Sequence, residues 1–131
     1  MRQTAGRRCL RWLMGASALV LACGPEEPVT VCEYWVLPAV AVQAVDSGTG
    51  AALTATAAGF VREGSYTDSL QWCSTGKYPS TRCGAFERPG TYEVEVRHQG
   101  YSTWTTRGVV VTMGSCHVNT VVLTAKLNRS Q

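Results

Sequence analysis

The residues from Thr91 to His98 constrain the fold more than any others in the chain. Tyr92, Val94 and Val96 alternate with Glu93, Glu95 and Arg97, which is the period of two expected of a strand with one dry and one wet face. Pro89-Gly90 opens this stretch and Gln99-Gly100 turns it, so it is bounded at both ends by turn residues. No comparable helical periodicity exists elsewhere. The alanine-rich stretch from Ala51 to Ala58 is interrupted by Thr54 and Thr56 and flanked by Gly48, Gly50 and Gly59. The β-branched residues that recur throughout favour strands. Further strands are expected at 36–45, 52–61, 65–73, 83–87, 102–112 and 117–127, giving an all-β, seven-stranded antiparallel Greek-key sandwich. The runs Val109-Val110-Val111 and Val121-Val122-Leu123 leave the facing of the last two strands open.

The N-terminal segment has a different character. Arg2, Arg7, Arg8 and Arg11 precede an apolar run from Trp12 to Ala22, the layout of a secretory leader. That run is shorter than the roughly 20 residues a bilayer-spanning helix needs. It ends in Val20-Leu21-Ala22-Cys23-Gly24, which resembles the lipobox of bacterial lipoproteins. The resemblance implies cleavage before Cys23, a diacylglycerol on its thiol and a further acyl chain on the freed amine. Each buried methylene contributes roughly 0.8 kcal/mol, so several chains hold where one would exchange. Gly24 after the lipidated cysteine implies sorting to the outer membrane by the enterobacterial rule. The expected organisation is a signal peptide at 1–22, a lipidated cysteine and proline-bearing tether at 23–35, and a domain at 36–131.

Removing the leader changes the charge and the cysteine inventory. Four of the twelve lysines and arginines lie in it, leaving eight against nine acids. The remaining chain has no basic cluster, so nucleic-acid binding is not expected. Cys9 is lost and Cys23 lipidated, leaving Cys32, Cys73, Cys83 and Cys116, an even number in an oxidising compartment. Four cysteines allow three pairings. The preferred one joins Cys73 to Cys83 across a short polar loop and Cys32 to Cys116 between the first segment and the last strand. No pair has the C-x₂-C spacing of structural zinc, and no metal or other cofactor is expected.

Two segments resemble the carboxypeptidase regulatory-like domains, which share a transthyretin-like (prealbumin-like) sandwich. One is Val45-Asp46-Ser47-Gly48-Thr49-Gly50-Ala51-Ala52; the other is Gly90-Thr91-Tyr92-Glu93-Val94-Glu95-Val96 with Gly100-Tyr101 after it. The likeness spans residues 36 to 126 and departs from the family's simplest pattern between Gln71 and Cys83. It implies a non-catalytic folding, spacing or interaction module. Tyr92 is expected to bury its ring and pin a corner with its hydroxyl.

Catalytic material is scarce. His98 shares the parity of the dry face and is expected to end it, satisfied by a backbone carbonyl. Cys116, His117 and Asn119 are the residue types of a nucleophilic group, but adjacent strand residues point to opposite faces, and a disulfide at Cys116 would remove the nucleophile. The chain ends Lys126-Leu127-Asn128-Arg129-Ser130-Gln131 and lacks the tetrapeptide and histidine set of the fold's hydrolase relative. An enzyme is not expected. Trp72 and Trp104 are expected to cover the sandwich core; the alternative makes Trp72, Tyr78, Tyr101 and Trp104 candidate contact residues near turns and strand ends, where flat rings suit sugars or protein partners. The expected function is a non-catalytic envelope lipoprotein held to the membrane through Cys23, its sandwich a structural or protein-interaction module. A carbohydrate-binding module is the alternative, and a small transthyretin-related hydrolase a more remote one.

Overall fold

A computed structural model describes residues 27–73 and 76–131; the expected signal peptide at 1–22 and the expected lipidation site Cys23 lie outside the described residues. Those described contain eight strands and no helix: β1 Val40–Asp46, β2 Ala58–Glu63, β3 Tyr66–Ser69, β4 Gln71–Trp72, β5 Arg82–Gly84, β6 Gly90–Arg97, β7 Trp104–Val111 and β8 Val121–Leu127. They form two four-stranded sheets, ordered β4-β5-β1-β8 and β3-β2-β6-β7. The fold is all-β and sandwich-like. Both sheets supply the main core: Val40, Val42, Ala44, Ala125 and Leu127 from one, Val61, Tyr92, Val94, Val96, Val109 and Val111 from the other.

The strand count exceeds the expected seven because the stretch 65–73 divides. At Leu70 the chain leaves the second sheet for the first, and the Leu70 side chain is buried in the core between them. One pairing also departs from the antiparallel expectation: β8 runs parallel to β1, with Val40 opposite Val121 and Asp46 opposite Leu127. The cause is topological. β7 belongs to the other sheet, so the connection after it crosses between layers instead of closing a hairpin, and crossovers permit parallel neighbours. The expected strand at 52–61 begins only at Ala58. Before it, the buried Thr54 hydroxyl accepts from the Ala44 N–H at 2.9 Å and donates to the Ala44 carbonyl at 3.2 Å, holding that segment as a turn.

On β6 the expected alternation is present, with one refinement. Glu95 is on the wet face yet buried, because Arg62 Nη1 reaches its Oε2 at 3.3 Å and Arg97 Nε its Oε1 at 2.5 Å. Its neighbour Glu93 pairs with Arg107 at 2.6 Å. In β7, Arg107 and Gly108 together oppose Glu93, a bulge marked by the register shift between Tyr92 and Val94. Gly108 takes φ 68° there, a conformation costly for any side-chain-bearing residue.

Both expected disulfides are present. Cys32–Cys116 and Cys73–Cys83 each have a Cα–Cα distance of 5.3 Å. The second builds a small satellite core with Ala41, Tyr78 and Phe86. Ala41 has the opposite parity to Val40 and Val42, so this cluster covers the outer face of the first sheet.

Candidate functional site

Two polar nodes and one apolar surface gather the residues of functional type. The first node is built on Asp46, the last residue of β1. Its side chain is buried, and Oδ1 accepts from the N–H groups of Gly48 at 2.8 Å and Thr49 at 2.9 Å, closing the Asx turn that short acidic side chains favour. Oδ2 accepts from the Tyr101 hydroxyl at 2.7 Å and Arg129 Nε at 3.0 Å. The Asp-Ser-Gly-Thr-Gly turn and the Gly-Tyr turn, far apart in sequence, therefore meet at one carboxylate. The Tyr101 hydroxyl, aided by the Thr49 N–H, holds the Asp46 carboxyl far below the usual carboxylate range. Conversely, the Tyr101 phenol is pushed up by that same bond and by burial.

This has a pH consequence. A carboxyl held below its unfolded value of 3.8 favours the folded state fully above that value, and the contribution fades as acid protonates the folded carboxylate. Urea midpoints of the wild type should fall more steeply below about pH 5 than those of Asp46→Asn, which keeps an acceptor but cannot titrate. Glu63 and Glu87 are lowered in the same direction and act equally in both proteins. Parallel pH profiles would refute the assignment.

The second node joins the N-terminal segment to the domain. Glu87 adopts φ 51°, unusual for a residue with a side chain, and its carboxylate explains why this is sustained. Oε1 accepts from the Leu37 N–H at 2.5 Å, and Oε2 from the Val118 N–H at 3.3 Å. Burial opposes the charge on Glu87, but the Leu37, His117 and Val118 donors outweigh it and lower its pKa. His117 Nδ1 lies 2.7 Å from Glu87 Oε1, and its Nε2 lies 3.1 Å from the Glu33 carbonyl oxygen. With the Cys32–Cys116 bond beside it, this clasp fastens residues 32 to 37, most of which the sequence assigns to a loose tether. Nothing in the sequence marks Glu87 as its centre.

The same contacts dissolve the nucleophilic group that Cys116, His117 and Asn119 suggest. Cys116 is disulfide-bonded, His117 faces Glu87, and Asn119 Nδ2 donates to Thr112 Oγ1 at 2.8 Å. His98 lies just past β6, with Nδ1 2.8 Å from the Gln99 carbonyl and Nε2 2.7 Å from Thr56 Oγ1. Its ring also stands edge-on to Tyr101 at 5.1 Å. Among the described residues, no three histidines, cysteines or acids gather as metal ligands would.

The four candidate aromatics do not form one patch. Trp72 stands on β4, the edge of the first sheet, 50% exposed with the Arg82 guanidinium 5.7 Å from its ring. Trp104 lies on β7, the edge of the second sheet, packed against the core. Tyr78 packs on both cores, and Tyr101 belongs to the Asp46 node. A run of exposed apolar side chains lies at the start of the domain: Val29, Val31, Tyr34, Trp35 and Val36. Beside it is an open cleft of about 350 Å³ lined by Trp35, Leu37, Gly76 and Lys77. The adjacency of Tyr34, Trp35 and Val36 to Cys32 is the sequence signal that could have drawn attention here. No protein-family model matches this sequence, and comparison with curated proteins finds no similar one.

Proposed function

We propose that this chain is an exported bacterial lipoprotein, cleaved before Cys23 and lipidated there. In this reading its domain is a non-catalytic structural or protein-interaction module of the cell envelope, anchored in the outer membrane. The observation that carries the non-catalytic part is where the reactive side chains go. Cys32, Cys73, Cys83 and Cys116 are paired, both histidines are held at each ring nitrogen, and Asp46 is occupied by four donors. Two disulfides also suit a compartment outside the reducing cytoplasm.

The transthyretin-like, carboxypeptidase regulatory-like reading draws support from the Asp46–Tyr101 bond, which joins the two segments that carry the resemblance. Counting the two-residue β4 as part of the disulfide loop leaves seven strands for the Greek key. The Tyr92 hydroxyl donates to the Arg88 carbonyl at 2.7 Å, the kind of corner such sandwiches use.

The anchor is tested in the producing bacterium. Wild-type protein should take up an alkyne-tagged fatty acid and sediment with membranes, and mass spectrometry should find the mature chain starting at acylated Cys23. Cys23→Ala should be unlabelled and absent from the membrane fraction in processed form. A mature chain with an unmodified start at another residue refutes the proposal.

A further inference from the structure

Resting on the proposed anchor at Cys23, we infer that the exposed surface of Val29, Val31, Tyr34, Trp35 and Val36 lies in the headgroup region of the bilayer holding that anchor. The inference begins with position. Cys32 is nine residues beyond Cys23, at most about 30 Å of extended chain. The disulfide to Cys116 and the bond from His117 to the Glu33 carbonyl make the segment after Cys32 part of the domain surface. Val29, where this surface begins, is six residues beyond Cys23, so the lipid is attached within about 20 Å of it.

Composition then selects the occupant. Tyr34 is fully exposed and Trp35 is 54% exposed. Such rings are amphipathic and collect at membrane–water interfaces. Three exposed valines accompany them, and the charges nearby are mixed, Glu27 and Glu33 along the chain against Lys77 in the adjoining cleft, so the contact is apolar and aromatic and not an attraction to anionic lipid. A short tether raises the effective concentration of bilayer to around millimolar. A contact too weak to recruit the free domain is then populated by the anchored one. The surface would set the orientation of the domain as the acyl chains set its location.

The experiment uses the lipidated full-length mature protein in phosphatidylcholine vesicles whose acyl chains carry bromine near the headgroup. Trp35 is read as the emission difference between wild type and Trp35→Phe, which leaves Trp72 and Trp104 in place. A second reporter, Tyr34→Trp in the Trp35→Phe background, tests the neighbouring ring. Both should lose emission to the brominated lipid and lose access to aqueous iodide, whereas the same chain produced without lipid, starting at Gly24, should show neither change when mixed with the same vesicles. Mass spectrometry on the same sample separates the two claims. An acylated chain whose Trp35 stays open to iodide overturns the surface assignment and leaves the anchor intact. Protection from iodide without bromine quenching places another protein copy there and also overturns it. An unacylated N-terminus overturns both.

Discussion

Replacing Cys32 and Cys116 together by alanine should lower folding stability by about 4.5 kcal/mol, against about 2.7 kcal/mol for replacing Cys73 and Cys83. The difference follows from sequence separations of 84 and 10 residues, because a longer closed loop removes more entropy from the unfolded chain. The larger loss should lower the melting temperature by on the order of 20 °C in a domain of this size. Urea unfolding of both variants beside the wild type provides the measurement. The longer loop's effect has a local component too, since the clasp of Glu87 and His117 depends on the segment that Cys32 holds. If the short-loop variant is the less stable, packing of Cys73 and Cys83 in the satellite core outweighs chain entropy.

Tyr92→Ala should cost about 4 kcal/mol, while Tyr92→Phe should cost about 1 kcal/mol. Tyr92 is 1% exposed and among the largest fully buried side chains. Its ring lies in the main core and 6.4 Å from that of Tyr66. Alanine therefore leaves a cavity between the sheets that the surrounding valines fill only in part. Phenylalanine keeps the ring and loses the hydroxyl's bond to the Arg88 carbonyl. Thermal and denaturant melts of the two variants separate the contributions. Equal losses would show that the corner bond, not the ring, holds this region.

The sequence shows these features unequally, for identifiable physical reasons. β6 is legible because one face is dry and the other carries charges, and its residues alternate accordingly. The valine run in β7 looks continuous, yet Val110 is 61% exposed between the buried Val109 and Val111; alternation was present but masked by uniform composition. Leu70 hides a break, since a buried leucine looks the same within a strand and between two. The direction of β8 is illegible in principle, because hydrophobic period has no sign. At the Asp46 node both turns are visible as separate pieces, whereas Arg129 carries no local pattern. The Glu87 clasp is built from backbone donors at Leu37 and Val118, which no side-chain pattern reveals.

The parallel pairing of β1 with β8 has a kinetic consequence. The strand formed first in the chain finds one of its two neighbours only among the last residues, with Val40 waiting for Val121. Contacts of such long sequence range slow folding, because their closure entropy must be met before they stabilise anything. A partial chain emerging N-terminus first has β1 but no β8, and the buried Ala125 and Leu127 are missing from its core. Premature collapse of such a partial chain is thereby discouraged. The architecture delays its own completion until the far end of the chain has arrived, a property that would serve the exported protein proposed above.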